Sequence, residues 1–126
     1  MVARLDERGR AVSGRIFCRG QRKGTSVKLG ILVNTDGHLA HVQGLANAAI
    51  NKGHEVTIFV MDSGTRLLRD ASFVTLAGAE GVSTSYCDHS AREYEIDTDT
   101  LPTEVDGGSQ LNNAMMNHQA DRVIVL

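Results

Sequence analysis

The chain has 126 residues, which suits one domain of ordinary size with enough length to bury a core. Hydrophobic residues make up 41% of it, as in a globular protein, whereas aromatic residues make up 4% and Trp is absent, which argues against nucleic-acid binding on a stacking platform. No apolar run approaches the roughly 20 residues of a membrane helix. The charged start MVARLDERGR lacks the apolar region of a secretory signal, so we expect a cytoplasmic protein that binds no membrane.

Positive charge is concentrated at the start of the chain. Residues 1–28 hold eight Lys and Arg residues against Asp6 and Glu7, an excess of about six positive charges. At a net charge of −2, the rest of the chain then carries about eight negative charges. Residues 1–26 lack sustained periodicity, so we interpret them as a basic, flexible leader. A solvated or cloning-derived leader is the favoured interpretation, and an arm for nucleic acid or an anionic surface is the alternative.

A strand, a helix and a second strand follow the leader. Residues 27–33 form an apolar, β-branched run of buried-strand length. Residues 38–53 place apolar side chains at helical spacing, with Asp36 as a candidate N-cap and Gly53 where a helix-ending glycine is expected. Residues 54–61 read as a second buried strand. Together they predict a right-handed βαβ unit.

The alternation continues to the end of the chain. Residues 65–80 predict one helix, or two short ones divided near Asp70, and 81–87 predict a third strand. A short helix at 88–96 and a loop at 97–108 lead to a helix at 109–120, and the chain ends on a buried strand. The apolar face of that last helix is assigned to Leu111, Ala114 and Met115. Residues 27–126 are thus expected to form one α/β domain, with a mainly parallel sheet of four to five strands covered on both faces.

Ligands and chemistry in such sheets sit at the carboxyl ends of the strands, and Cys87 lies there. It ends the third predicted strand in VSTSYCDHS and precedes a helix, so the free N–H groups of that helix would favour a thiolate. Asp88 would oppose this charge, and His89 could favour it. Cys18 is the other cysteine, and no CxxC motif is present. We therefore predict a functional thiol at Cys87, with an inert, buried cysteine as the alternative.

Histidines offer a second, weaker chemistry. His38 and His41 lie three residues apart at the start of the first helix. With Cys87 and His89 they could hold zinc or copper if the two loops are neighbours. NTDG before this helix lacks the spacing of a phosphate-binding loop, so a tight turn is favoured. We predict neither a metal nor a cofactor, and assign His89 and His38 to tuning or shielding the thiol.

The order of these segments resembles the DsrE/DsrF-like family, which includes the TusD-type sulfur-relay subunits. The resemblance covers residues 27–126 and is carried by VKLGILVNTDG, GLANAAINKGHEVTIFVMDSG, a strand ending in YC, and ADRVIVL. It implies a three-layer α/β/α sandwich that assembles into homotrimers or homohexamers. It also implies that Cys87, the matching cysteine, carries sulfur as a persulfide between donor and acceptor proteins without a cofactor. The segment DHSAREYEI is more charged than the family's apolar or aromatic run.

Three functions are therefore compared. The leading hypothesis is a cytoplasmic sulfur-carrier or sulfur-relay protein with the persulfide on Cys87. The second is a non-catalytic module of the same fold that binds a small ligand or a protein at the strand ends. The third is a metal-binding protein that uses Cys87 and the histidines.

Overall fold

The computed structural model describes residues 26–126, so the predicted leader, apart from Ser26, lies outside the described residues. They form a five-stranded sheet in the order β4-β3-β2-β1-β5, and every neighbouring pair is parallel. The predicted α/β fold class is confirmed. The strands are β1 (Lys28–Val33), β2 (Glu55–Val60), β3 (Val82–Cys87), β4 (Val105–Gly108) and β5 (Arg122–Val125).

Helices connect these strands. The four α-helices are α1 (Leu39–Asn51), α2 (Ala71–Ala77), α3 (Asp88–Glu93) and α4 (Gln110–Gln119), and 3-10 helices span Asp62–Arg69 and Thr98–Thr100. Among the helices of residues 26–126, none is long and apolar enough to cross a membrane.

The ends of the helices test the predicted caps. Of the two alternatives predicted for residues 65–80, the division near Asp70 is the one observed, because the Asp70 carboxylate accepts the N–H groups of Ser72 and Phe73 and begins α2. Gly53 ends α1 with a φ of +82°, as a helix-ending glycine does. Asp36 is not the N-cap of α1, where His38 stands without a side-chain hydrogen bond.

The two faces of the sheet are covered by different helices. Because β1, β2, β3 and β4 follow one another across the sheet, right-handed connections place α1, α2 and α3 on the same face. The main core lies there, with Ile31, Ile58 and Phe73 fully buried. The connection from β4 to β5 crosses the sheet in the opposite sense to the earlier connections. A right-handed connection of that sense puts α4 on the opposite face. There Met116 packs with Phe59 and Cys87 in a second, smaller cluster.

Three predicted features of the C-terminal part are wrong. Residues 105–108 form β4 within the predicted loop. The sequence VDGG has little strand propensity, and the strand forms because its backbone pairs in parallel with β3. β5 is a half-exposed edge strand rather than a buried one. In α4 the buried residue is Met116, whereas Leu111 and Met115 are 66% and 49% exposed.

At Gly64 the Asp62–Arg69 helix packs closely against the carboxyl end of β1. A Cβ at Gly64 would lie 2.9 Å from the carbonyl carbon of Val33 and would collide with its oxygen. Neither backbone can yield without moving its element, so the absence of a side chain sets the distance between them.

We expect Gly64→Ala to lower the free energy of unfolding by about 1–3 kcal/mol, the usual cost of overpacking. The control is Gly44→Ala, since a Cβ at that position of α1 meets nothing within 4 Å. Removing a glycine from a helix interior should raise stability by about 0.5–1 kcal/mol. Urea unfolding of both variants measures the difference, and an unchanged Gly64→Ala midpoint would contradict the close packing.

Candidate functional site

A crevice opens where β3 and β4 end side by side. Cys87 at the end of β3 pairs with Gly108 at the end of β4. From there α3 leaves toward one face of the sheet and α4 toward the other, which is the arrangement that creates ligand sites in open α/β sheets. We call this the Cys87 crevice. It encloses about 910 Å³ and is lined by Met61, Asp62, Cys87, Asp88, His89, Ser90, Arg92 and residues 108–112.

The glycines of β4 allow other chain segments to approach closely. A Cβ at Gly107 would lie 2.7 Å from a carboxylate oxygen of Asp88, and one at Gly108 would collide with the Asn112 side chain. Asn112 accepts the Ser109 N–H at 3.0 Å in the capping box that begins α4. The bare backbone of β4 therefore lets both helix starts lie against the strand ends.

Cys87 is one of the residues that line this crevice. It is the N-cap residue of α3 and is 5% exposed. Phe59 and Met116 pack against it in the smaller cluster beneath α4. The thiol is thus buried but borders an open space, which distinguishes it from a cysteine enclosed within a core.

The surroundings of the sulfur favour its charged form. Burial alone would raise the pKa of Cys87, but interactions with the N–H and hydroxyl groups of Ser90, the N–H of His89 and the amide of Gln110 outweigh it and lower that pKa below the ordinary 9.0. The Cys87 side chain forms no N-cap hydrogen bond, so these groups act on the sulfur as nearby dipoles. The free N–H groups of a helix start stabilise a thiolate in this way.

The side chains of Asp88 and His89, which follow Cys87 in the sequence, do not have the predicted effects on the pKa of Cys87. Neither the Asp88 carboxylate nor the His89 imidazole is among the groups that shift the pKa of Cys87. Both side chains are exposed and line the crevice. His89 acts on the sulfur through its backbone N–H, a group that every residue except proline would provide.

Three residues of the site had no role assigned from the sequence. Met61 and Ser90 follow β2 and β3, where the strand-end rule places candidate residues, but that rule does not connect them with the thiol. Gln110 gave no signal, since it joins the site from α4. The Gln110 amide donates to the Met61 sulfur at 3.6 Å, which places the amide beside both sulfur atoms.

The remaining predicted site residues lie elsewhere. His38 and His41 stand at the start of α1, with ring centroids 5.6 Å apart, and do not line the Cys87 crevice. Within residues 26–126, no group of three His, Cys, Asp or Glu side chains is placed to hold a metal ion. The set of Cys87, His89, His38 and His41 is therefore not assembled.

Fold and site together define a doubly covered parallel α/β protein with a polarised thiol at a strand end. The chain belongs to the DsrE/DsrF-like family, whose pattern it matches over residues 28–126. No relative was found among curated proteins.

Two solved structures share this fold. The ychN protein from E. coli superposes with a TM-score of 0.67 at 15% identity, over 79% of this chain and 99% of that one. MTH1491 from Methanobacterium thermoautotrophicum, described as a protein of unknown function, gives a TM-score of 0.58 at 19% identity, over 80% and 100%. At these identities the likeness shows the fold alone.

The lowered pKa predicts how Cys87 reacts with pH. In a Cys18→Ser background, iodoacetamide should modify folded protein with a pH midpoint below that of the urea-unfolded chain, because only the thiolate reacts. The unfolded chain then holds more protons at this thiol between the lowered pKa and 9.0. The free energy of unfolding should rise with pH across that window, and this gain is lost as pH falls through the folded pKa. Equal midpoints would contradict the proposed polarisation.

Gln110→Ala removes one of the groups that polarise the sulfur. We expect its alkylation midpoint to lie above that of the wild type. Gln119→Ala, an exposed position at the other end of α4, is the matched control and should leave the midpoint unchanged. If the alkylation midpoint shifts in Gln119→Ala and not in Gln110→Ala, the effect on Cys87 comes from α4 as a whole and not from the Gln110 amide.

Proposed function

We propose that this protein is a sulfur carrier that holds sulfur as a persulfide on Cys87. The observation that carries the proposal is a buried thiol of lowered pKa that lines an open crevice, in a chain of the DsrE/DsrF-like family. The crevice gives a partner protein access to one side of the sulfur. Phe59 and Met116 pack against Cys87, and this packing limits the access of a partner to the thiol.

The transfer needs no oxidant or cofactor. The Cys87 thiolate attacks the outer sulfur of a donor persulfide, a new S–S bond forms, and the donor's own sulfur leaves as a thiolate. An acceptor thiolate then attacks the outer sulfur on Cys87, and Cys87 leaves as a thiolate. A lowered pKa assists both steps, because it raises the thiolate fraction before the first attack and makes Cys87 a better leaving group in the second.

The proposal implies a reducing compartment and protein partners. Among residues 26–126 Cys87 is a free thiol, and sulfur carriage by such a thiol suits a reducing compartment, so the proposed site of action is the cytoplasm. Donor and acceptor proteins would meet the exposed rim formed by Asp88, His89 and Arg92. In the alternative, a non-catalytic binding module, the same crevice would hold a ligand and Cys87 would remain unmodified.

Sulfur loading is tested by intact mass after incubation with a persulfide donor. Wild-type protein should gain the mass of one sulfur atom, and dithiothreitol should remove it. Cys87→Ala should lose the gain, whereas Cys18→Ala, the matched control, should retain it. Loading on Cys18 alone would overturn the proposal, and an unmodified Cys87 would favour the binding module.

We also propose that the protein is a homotrimer or homohexamer that covers the apolar side of α4. Leu111 and Met115 lie one turn apart on this helix. Val125, which is 57% exposed, pairs in register with Leu32 on the same face of the sheet as α4. Exposed apolar side chains grouped on one face are typical of a protein interface.

Met115→Glu should convert the oligomer to monomers, because an interface would bury the new charge without a partner. Asn117→Glu adds the same charge at an exposed position on another side of α4 and should leave the assembly intact. Light scattering measures both masses. A monomeric wild-type protein would contradict this part of the proposal without affecting the sulfur chemistry.

A further inference from the structure

A side-chain hydrogen bond crosses the end of β3, where Cys87 lies. In the sheet β3 stands between β2 and β4, Met61 directly follows β2, and Gln110 begins α4 after β4. The amide nitrogen of Gln110 donates to the sulfur of Met61 at 3.6 Å, so these side chains join the segments on either side of Cys87. Both residues line the Cys87 crevice, and Met61 also packs against the cluster that contains Cys87. We call this contact the Gln110–Met61 bridge.

The backbone is anchored at both ends of the bridge. The Met61 N–H donates to the Val33 carbonyl at 2.9 Å, which extends the pairing of β2 with β1 by one residue. Gln110 is the first residue of α4 and lies inside the capping box that Ser109 and Asn112 form. The two side chains therefore meet from fixed positions.

A second hydrogen bond orients the Gln110 amide. Its oxygen accepts from the side-chain nitrogen of Asn113 at 3.1 Å, and the side-chain oxygen of Asn113 accepts from Asn117 at 2.8 Å. Because its oxygen is held by the helix, the Gln110 amide presents its nitrogen, the donor, to Met61. The orientation of the bridge is thus set within the first two turns of α4.

The bridge is weak enough to open. Gln110 is exposed and Met61 is half-buried. A thioether is a weak acceptor, and the Met side chain has three rotatable bonds, so this contact breaks more easily than the backbone hydrogen bonds around it. Cys87 is only 5% exposed although it lines an open crevice, and the closed bridge contributes to that cover.

We propose that the Gln110–Met61 bridge determines which electrophiles reach Cys87, because it admits a slender terminal sulfur and holds back bulkier groups until it opens. This inference rests on the proposed sulfur-carrier function and deepens it by naming the class of substrate. A persulfide presents its outer sulfur at the end of a chain, whereas a disulfide carries a carbon substituent on both sulfur atoms. The bridge therefore favours loading from a persulfide over formation of a mixed disulfide with a bulky partner.

The test compares two alkylating reagents of the same chemistry in the Cys18→Ser background. Iodoacetanilide carries the reacting group of iodoacetamide with an added phenyl ring, and both reagents react with the thiolate. A change in the pKa of Cys87 alters both rates alike and cancels in their ratio. The rate with iodoacetanilide divided by the rate with iodoacetamide should be lower for folded protein than for the urea-unfolded chain.

Met61→Leu keeps an apolar side chain of similar size and removes the sulfur acceptor. We expect it to raise this ratio about two- to tenfold, the range of equilibrium constants that one net hydrogen bond supplies. In a Gln110→Ala background the same exchange should change nothing further, because the bond is already absent. Gln119→Ala, at the exposed far end of α4 and outside the crevice, is the matched control for Gln110→Ala and should leave the ratio unchanged.

An unchanged ratio in Met61→Leu would overturn the inference. An equal effect of Met61→Leu with and without the Gln110 side chain would overturn it as well, since Met61 would then act by packing alone. A purely structural role of the two residues would reduce the free energy of unfolding and leave the ratio unchanged.

Sulfur loading, measured on the same samples, separates this inference from the proposed function. Sulfur loading of the parent protein together with an unchanged ratio in Met61→Leu would reject the bridge and retain the carrier. A raised ratio in a protein that never accepts sulfur would retain the bridge as the control of access to Cys87 and reject the carrier.

Discussion

The parallel pairing of β4 with β3 sets Cys87 beside Gly108, and the site depends on this register. The connection after β3 runs along one face of the sheet and the connection after β4 along the other, so the two helix starts diverge and leave a crevice between them. Gly107 and Gly108 permit the pairing, because any side chain there would meet Asp88, Tyr86 or Asn112. A strand of only four residues thus creates the space in which the sulfur can react.

Two opposing effects act on the sulfur at this position. Burial against Phe59 and Met116 disfavours a charged thiolate, and the dipoles around the opening of the crevice favour it. The groups that lower the pKa of Cys87 belong to α3, through its backbone and the Ser90 hydroxyl, and to the Gln110 amide of α4, and together they outweigh burial. A thiol that is packed against apolar side chains and polarised by nearby groups combines restricted access with reactivity, as the proposed carrier function requires.

Much of the fold could be predicted from local patterns. The β1–α1–β2 unit, the division at Asp70 and the position of Cys87 at a strand end all follow from hydrophobic periodicity and turn residues. β4 could not be predicted, because VDGG has little strand propensity of its own and depends on its partner strand. The buried side of α4 was misassigned because Leu111, Met115 and Met116 are all apolar, and only the position of the helix on the sheet selects Met116.

The sequence by itself determined the class of the fold, the family and the location of the thiol, because alternating strand and helix patterns are local properties of the chain. Only the tertiary structure decided what surrounds that thiol. The contacts from Gln110 to Met61 and from Asp62 to Ser90 join residues 49 and 28 positions apart. Such pairs meet because strand order brings separate loops to one edge of the sheet, and no local pattern in a single sequence records that order.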